Sequence, residues 1–524
     1  MTHTDHAAPA ETERPAPSPG PRSAARRTRR ALRRRPISGL VWLLPALATL
    51  AAGLYRISTP VLWHDELATL TVIRRPPGAL LDMLRNVDAV HGAYYLLMHY
   101  WIGFFGESPA MLRLPTVLAM AVAAACVALA GRRMFGARAG LTAGLVFALI
   151  PAVTRYAQEA RSYALVVLVA AAALLLLLRA LERPGPVRWA CYGVAVAAAG
   201  YLHLVSLVFL GAHAVGVALY WWKDRSNRRI PVGFCVAAAL GVASTYPLIK
   251  VGQGQAGRQI SWIPKPTLSD LAGIWPQIFS STVLAAALFL AAAFAWGSER
   301  RLSALFGSVA AVLPVVAIWV ISQRADVSYF MPKYLFFVLP AWAVMAGAGI
   351  ALVRVRGVVA ALLVMAVMVV PDHLTLHRPL SHAAYTYPEP VTWFTPLDYR
   401  KAAGIVAAGH RAGDAVAYGQ QGHNVWWGVD TGVRYYLPGR IALRDVFLDR
   451  TGEQRDDLWP TLTADPAGAL DAVAAPRIWL VSKDDGGDPF TTLPPEHAKA
   501  LQDRYERTSL KKVSGISVAL LVRR

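Results

Sequence analysis

The feature that most constrains this chain is a series of apolar runs, each long enough to cross a membrane. The first, at residues 37–55, has roughly 19 residues, enough to span about 30 Å of hydrocarbon as a helix. Ten similar runs follow, at 109–130, 139–153, 162–180, 187–201, 203–222, 230–249, 275–297, 302–321, 334–352 and 357–371. Since 55% of the residues are hydrophobic and only 16% are charged, we predict an α-helical polytopic membrane protein with eleven spans. The first span is expected to be an uncleaved signal anchor.

The basic residues lie mainly between the apolar runs. The formal net charge of +21 would suit nucleic acid only if basic residues shared one soluble face, so no nucleic-acid partner is expected. Alternate loops are net basic, among them GRRMFGAR, WKDRSNRR and SERR. Because short cytoplasmic loops hold the excess of Lys and Arg, we predict a cytoplasmic N-terminus and an extracytoplasmic C-terminus. Residues 1–36 are predicted to be a disordered basic tail.

The remaining chain is predicted to form two domains. Residues 37–371 form the predicted transmembrane domain, which includes a long first external loop at 58–108. In residues 372–524, TPLDYRKAAGIVAAGHRAGDAVAYGQ predicts a helix, a Gly-Asp turn and a strand, and PRIWLVSKDD predicts a buried strand. We therefore predict an extracytoplasmic α/β domain. It shows no G-x-G-x-x-G or P-loop pattern, so nucleotide binding has no support.

Ionisable residues gather at four places beside the predicted outer membrane face. Charged groups near a bilayer are energetically costly, so such groups usually indicate a functional site. The four motifs are WHDE at 63–66, DAVH at 88–91, RYAQEARSY at 155–163 and QRADVSYFMPK at 323–333. The third packs Arg155, Glu159 and Arg161 into a short loop where a turn alone would suffice. Two interpretations stay open: the arginines pair with Glu159 at the interface, or the three residues form a rim around an anionic substrate.

The first external loop contains a further candidate segment. DAVHGAYYLLMHYWIGFFG is too short and too punctuated for a span, and it predicts a helix lying in the interface. His91, Tyr95 and His99 share one face of that helix. Asp88 has three possible roles, because it is placed to bind substrate, to cap the following helix or to pair with His91.

Sugar transfer from a polyprenyl phosphate is chemistry that needs carboxylates and cations at this depth. Displacing the phosphate from the anomeric carbon requires a base for the acceptor hydroxyl and cations for the departing phosphate. We predict Asp65 or Glu66 as the base. Arginine is preferred where the phosphate contact is bidentate. The cationic candidates are Arg155, Arg161, His91, Arg324 and Lys333.

Several of these motifs, taken in order, resemble those of the GT-C glycosyltransferases. They are WHDE, VHGAYYLLMHYWIGFFG followed by RLPTVLA, AQEARSYAL and MPKYLFFVLPAWAVMAGAG. The likeness covers about residues 40–370 and is greatest to bacterial relatives of the protein O-mannosyltransferases and the lipid A aminoarabinose transferases. It implies a GT-C fold, with the catalytic acidic residue of the first external loop at Asp65, Glu66 beside it and a second acidic position at Glu159.

The same resemblance implies further substrate-binding residues. Where relatives often have HPPLYY, this chain has HGAYY, so His91, Tyr94 and Tyr95 match while the two prolines do not. In the aminoarabinose branch a lysine tends to stand where His91 stands. The usual RYLLPALP pattern is here KYLFFVLP, which puts Lys333 in the basic position with Tyr334 after it.

The implied reaction is an inverting transfer of mannose or a pentose from a polyprenyl-phosphate donor to an extracytoplasmic glycan, lipid or protein. No cofactor is required. A divalent cation on Asp65, Glu66 and Glu159 is chemically possible, but nothing in the sequence demands one and no metal site is predicted. The three cysteines lie in apolar runs and predict neither a disulfide nor a zinc site. Membrane lipids are expected partners, and the Ala and Arg bias favours a bacterial plasma membrane.

Two other function classes stay open beside the enzyme. A transporter or flippase of lipid-linked glycans would favour polar residues near the middle of spans and broken helices at matching places in two halves. Here the ionisable residues gather at one face. A membrane scaffold that presents the C-terminal domain would leave the acidic loop unexplained.

Overall fold

The structure is a computed structural model that describes residues 1–2, 35–223, 225–382, 395–419, 428–484 and 486–524. Most of the predicted N-terminal tail lies outside the described residues. The chain forms two units, Met1–Leu40 and Val41–Arg524. All elements described below, except the start of the first helix, belong to the second unit.

The larger part of the chain is helical, as its long apolar runs require. In chain order its helices are α1 (Arg35–Leu54), α2 (His64–Ile73), α3 (Pro77–Asn86), α4 (Gly92–Phe105), α5 (Pro109–Phe135), α6 (Ala137–Leu149), α7 (Pro151–Ala157), α8 (Tyr163–Glu182), α9 (Pro186–Leu202), α10 (Phe209–Lys223), α11 (Arg229–Ser244), α12 (Tyr246–Gln259), α13 (Leu268–Gly273), α14 (Trp275–Phe279), α15 (Thr282–Phe294), α16 (Arg301–Arg324), α17 (Leu339–Ile350) and α18 (Val355–Leu376). Local chemistry sets some of these boundaries. Ser108 caps α5 by accepting the N–H of Met111 at 3.3 Å, and Pro109 occupies the first helical position, where no N–H is needed.

Among the described residues, five helices are long and apolar enough to cross a membrane, or up to eight if each bent helix pair is one span. The five are α5, α8, α16, α18 and the segment Leu204–Lys223 that contains α10. The chain is therefore a multi-pass membrane protein. Every one of the eleven predicted runs overlaps a helix, while the number of actual crossings stays a prediction.

The run predicted at 139–153 is not one continuous helix. Helix α6 ends at Leu149, and α7 starts at Pro151 after a bend of 63°. Proline cannot continue the helical hydrogen bonding and disfavours helical geometry in the residue before it. Ile150 accordingly has φ −67° and ψ 118°. The run at 230–249 is likewise broken, with a bend of 52° between α11 and α12.

Helix α17 lies at the centre of the helical core, with all of its residues buried. Small residues allow neighbouring backbones to approach it closely. A Cβ atom placed on Gly347 would lie 2.4 Å from the Cα of Ala143 in α6. A Cβ atom on Gly349 would lie 1.8 Å from the carbonyl oxygen of Ala291 in α15. The part of the predicted run at 334–352 that forms α17 is therefore enclosed by protein.

The C-terminal region contains the predicted mixture of helices and strands. Its elements are α19 (Tyr399–Gly409), β1 (Ala415–Tyr418), α20 (Val429–Tyr436), β2 (Arg444–Asp445), β3 (Leu448–Arg450), β4 (Thr461–Leu462), α21 (Pro466–Val473), β5 (Arg477–Lys483), α22 (Pro495–Arg504), β6 (Tyr505–Val513) and β7 (Ile516–Arg523). The main sheet has the order β2-β1-β5-β7-β6; β1 is parallel to β2 and β5, and β7 is antiparallel to β5 and β6. The predicted helix, turn and strand are α19, Gly413 with φ +86° and β1, and the predicted buried strand is β5.

The two faces of this sheet belong to different apolar cores. Ile478 and Leu480 face a core that also contains residues of α21 and α22. Trp479 and Val481, on the other face, share a core with Leu67 of α2. The loop at 58–108 and the C-terminal region are thus joined by common packing. The domain boundaries themselves stay predictions.

Candidate active site

Asp65 lies in the first turn of α2, directly after an extended segment. Its Oδ2 atom accepts a 2.8 Å hydrogen bond from the Nζ of Lys333 and lies 4.0 Å from the Nε of Arg161. The Asp65 side chain is 14% exposed, so a ligand can reach it. Burial acts to raise the pKa of Asp65, but the charges of Lys333 and Arg161 outweigh it and hold that pKa well below its usual range.

Glu66, the neighbouring carboxylate, has a different environment. It is fully buried, and its two oxygens accept from Arg113 at 2.8 Å and 2.7 Å. One oxygen also accepts the N–H of Ala160 at 3.0 Å. Arg113 in turn donates to the carbonyl oxygens of Ile57 and Pro60. Glu66 therefore ties the start of α2 to α5 and is shielded from ligand.

Arg161 joins Asp65 to the residues of the predicted loop helix. It donates from Nη1 to the hydroxyl of Tyr95 at 2.9 Å and from Nη2 to Nε2 of His91 at 3.0 Å. The Tyr95 hydroxyl donates to Asp88. Burial, followed by the charge of Arg161, holds the pKa of His91 well below its usual range. His91 is therefore neutral and accepts at Nε2, so its remaining proton is on Nδ1.

Arg155 and Glu159 form a second, fully buried ion pair one helical turn apart. Arg155 also donates to the carbonyl oxygen of His382 at 2.8 Å. The two arginines of this loop therefore differ, and each fits one of the two interpretations. Arg155 pairs with Glu159, while Arg161 points toward Asp65 and the loop helix.

Aromatic rings surround the cationic side of the site. The Nζ of Lys333 lies 5.5 Å from the ring centroid of Trp63 and 5.8 Å from that of Tyr163. The ring of Tyr334 lies 4.8 Å from that of His203. Such rings stabilise a cation in a partly dry site.

The structure brings most of the predicted site residues into one cluster. Asp65, Arg161 and Lys333 form its centre. Next to them lie the residues of the DAVHGAYY motif: Asp88, His91, Tyr94 and Tyr95. Glu66, Arg155 and Glu159 lie behind this centre as buried pairs. Arg324 is exposed at the end of α16 and, within the described chain, makes no ion pair or hydrogen bond to the cluster.

Sequence reasoning missed Arg113, Trp63 and Tyr163 as members of this region. Trp63 and Arg113 stand in motifs already quoted, WHDE and RLPTVLA, but neither has a signal that distinguishes a site residue from an interfacial or topological one. Tyr163 opens an apolar run, where tyrosine is ordinary. Only their three-dimensional contacts identify them.

The C-terminal region holds the segment that leads into α2. The hydroxyl of Tyr436 accepts the N–H of Leu62 at 2.9 Å. Arg400 donates to the carbonyl oxygens of Ser58 and Thr59 at 3.1 Å and 3.3 Å. Contacts with the C-terminal region therefore fix the backbone just before Asp65.

No group of three or more His, Cys, Asp or Glu side chains is placed to hold a metal ion within the described ranges. The three acidic candidates point to different partners: Asp65 to Lys333, Glu66 to Arg113 and Glu159 to Arg155. A metal-independent reaction stays a prediction.

Comparisons with known proteins match the fold and part of the sequence. Residues 93–248 match the family model described as dolichyl-phosphate-mannose-protein mannosyltransferase. No curated protein sequence matches the chain. The crystal structure of ArnT from Cupriavidus metallidurans in the apo state superposes with a TM-score of 0.58 at 15% identity, covering 91% of this chain and 97% of that one. The structure of the same protein bound to undecaprenyl phosphate gives a TM-score of 0.57 at 14% identity, with the same coverage. The predicted GT-C fold is confirmed.

Proposed function

We propose that this chain is an integral membrane glycosyltransferase that transfers a sugar from a polyprenyl-phosphate donor to an extracytoplasmic acceptor. The observation that carries the proposal is the position of Asp65, a partly accessible carboxylate held between Lys333 and Arg161. This arrangement combines a base with two cations in a site enclosed by aromatic rings. The GT-C fold and the family-model match support the same chemistry.

The donor phosphate competes with Asp65 for its two cations. In the ligand-free site Lys333 and Arg161 neutralise Asp65 and make it a weak base. When both turn to the phosphate, Asp65 loses this stabilisation and its pKa rises. Asp65 then accepts the proton of the acceptor hydroxyl while that oxygen bonds to the anomeric carbon. The bond from the anomeric carbon to the phosphate oxygen breaks, and Lys333 and Arg161 stabilise the departing phosphate. Attack opposite the leaving group inverts the anomeric configuration.

His91 and Tyr95 are proposed to orient Arg161. Each accepts one hydrogen bond from its guanidinium, and Asp88 accepts from Tyr95. The guanidinium is thereby held close to Asp65 before a ligand arrives. Such preorganisation reduces the cost of arranging charges during the reaction.

The sugar is proposed to be mannose or a pentose, and the acceptor a glycan, lipid or protein. We further propose a plasma-membrane location with a cytoplasmic N-terminus, since the net basic loops lie on one side of the apolar runs. Asp65, Lys333 and the C-terminal sheet then share the extracytoplasmic side. The reaction needs no nucleotide at this site.

The decisive experiment measures release of polyprenyl phosphate by the full chain in lipid nanodiscs. Wild-type protein is offered a panel of polyprenyl-phosphate sugars, with membrane extract as the acceptor source. Asp65→Asn is expected to lower the rate by about 100-fold or more, the range for loss of a general base. Asp503→Asn, an exposed aspartate on α22, is the matched control and keeps the wild-type rate. Equal rates in Asp65→Asn and wild type, or no release with any donor, would overturn the proposal.

A further inference from the structure

A second polar cavity lies apart from Asp65, between α3, α12 and the loop that follows β3. Its volume is about 520 Å³, within the usual range for sites that hold small ligands. The charged side chains that line it are Arg85, Lys250, Arg258, Arg455, Asp456 and Asp457. Four cations face two carboxylates, so the lining carries a net positive charge.

The wall formed by the loop after β3 is held in place by buried and half-buried contacts. Arg258 donates to a carboxylate oxygen of Asp457 at 2.7 Å. Arg75, only 1% exposed, donates to the carbonyl oxygen of the same residue at 2.5 Å. Asn86 donates to the carbonyl oxygen of Asp456 at 3.1 Å. The Asp457 carboxylate is therefore neutralised within the wall. Arg85 is exposed and donates from Nη1 to the partly exposed Asp82 at 2.8 Å, so its remaining N–H groups can still contact a ligand. Lys250 is also exposed.

Helix α12 connects this cavity to the candidate active site. Gln255, which lines the cavity, accepts the N–H of Ala89 at 2.9 Å. One turn later Gln259 donates to Asp88 at 3.4 Å. Asp88 accepts from Tyr95, which accepts from Arg161. A chain of hydrogen bonds through Asp88 and Tyr95 thus links α12, which lines the cavity, to the arginine beside Asp65.

We propose that this cavity binds the acceptor, and that the acceptor is a saccharide carrying phosphate or carboxylate groups. Arginine and lysine suit the anionic groups, while the carboxylate of Asp456 and the amide of Asn86 suit sugar hydroxyls. The donor reaches the site with its lipid tail in the bilayer. One wall of the cavity comes from the C-terminal region and most of the lining is polar or charged, so a water-soluble ligand suits it. This inference rests on the proposed function, because it assigns the second substrate of the same reaction.

The test is saccharide binding to the full chain in nanodiscs of zwitterionic lipid, measured by isothermal titration calorimetry. The probes are tetragalacturonate and the neutral maltotetraose, which have equal length. We expect wild-type protein to bind tetragalacturonate at least tenfold more tightly than maltotetraose. The double variant Arg85→Gln, Lys250→Gln should bind tetragalacturonate at least tenfold more weakly than wild type does. Both side chains are exposed, so the variant is expected to fold.

The matched control is Arg440→Gln, an exposed arginine of the C-terminal region outside the cavity. It should bind tetragalacturonate as the wild type does. The proposal is overturned by equal binding of the two saccharides, by the absence of binding, or by unchanged binding in the double variant. Loss of saccharide binding when anionic lipid is added to the nanodiscs would assign the cavity to lipid headgroups and also overturn it.

Two further arms separate this inference from the proposed function. Asp65→Asn should bind tetragalacturonate normally, because Asp65 does not line the cavity. Slow release of polyprenyl phosphate to water, measured without acceptor, should be unchanged in the double variant. If saccharide binding behaves as expected but no polyprenyl-phosphate donor is used, the cavity is a saccharide site and the proposed enzymatic function is wrong.

Discussion

Lys333 donates a 2.8 Å hydrogen bond to Asp65, although 268 residues separate them in sequence. The adjacent Glu66 is paired with Arg113 instead and is shielded from ligand. Two consecutive carboxylates therefore occupy opposite environments, one open to a substrate and one closed. This difference allows their roles to be separated by experiment.

Glu66→Gln is expected to reduce stability strongly, because it leaves the buried guanidinium of Arg113 without its counter-charge. Breaking a buried ion pair on one side costs about 3–5 kcal/mol. Thermal unfolding in detergent should show a large fall in Tm for Glu66→Gln and a much smaller change for Asp65→Asn. If the two variants unfold at the same temperature, the structural role of Glu66 is wrong.

Lys333→Gln should change the pH dependence of transfer as well as its rate. Lys333 lowers the pKa of Asp65, so its removal raises that pKa and allows Asp65 to become protonated at a higher pH. We expect a rate at least tenfold lower at neutral pH, together with an acid-side decline that begins at higher pH than in wild type. Rates measured across the acid range check this. If the rate of Lys333→Gln declines at the same acid pH as that of wild type, Lys333 does not control the pKa of Asp65.

Glu159 supplies a separate pH response near neutrality. Burial raises the pKa of Glu159 to about 7, despite the opposing charge of Arg155. Glu159 is therefore protonated below this pH, and its ion pair with Arg155 forms only above it. The ion pair lies shortly before Arg161 in the same loop, so its formation is expected to fix the position of that guanidinium. The transfer rate should therefore rise as the pH passes upward through about 7.

The Glu159→Gln variant should lose this rise, since glutamine does not titrate. Glu107→Gln is a suitable control, because Glu107 is a partly exposed carboxylate paired with Arg74. If the transfer rate of Glu159→Gln still rises with pH as steeply as that of the control, another group causes the response.

Tyr436→Phe tests whether the C-terminal region positions Asp65. The substitution removes the acceptor of the Leu62 N–H and should cost about 1–3 kcal/mol of local stability. We expect kcat to fall while the KM for donor stays nearly constant, because the binding groups are untouched.

Tyr435→Phe is the neighbouring control for this effect, since the Tyr435 hydroxyl donates to the carbonyl oxygen of Glu107, away from Asp65. It should lose comparable stability and keep its kcat. A fall in kcat of the same size in both variants would indicate general loosening and not positioning.

The sequence predicted the helical runs and two of the C-terminal strands, β1 and β5, because hydrophobic patterning is a local property. The strands β2, β3, β4, β6 and β7 were not predicted. The bend at Pro151 was missed, since the apolar pattern continues through it and only the backbone chemistry of proline interrupts the helix. The sequence also identified Asp65 and Lys333 as site candidates, although the contact between them depends on tertiary structure.

The partners of Asp65 and Glu66 were beyond sequence reasoning. The chemistry of the residues does not distinguish Asp65 from Glu66, and only the family resemblance favoured Asp65. Arg113 resembles any arginine beside an apolar run. Their pairing depends on how α2 and α5 approach each other. The cavity lined by Arg258 and Asp456 was missed for the same reason, because its walls come from distant parts of the chain.

The attachment of Leu62 to Tyr436 has a consequence for biogenesis. A nascent chain that has been synthesised through α18 already contains Asp65, Arg161 and Lys333. It does not yet contain Tyr436, which fixes the backbone before α2. A nascent chain at that stage carries the reactive groups without their final alignment. In the proposed reaction, full activity is thus expected only after the C-terminal region has folded, which would limit hydrolysis of lipid-linked sugars by incomplete copies.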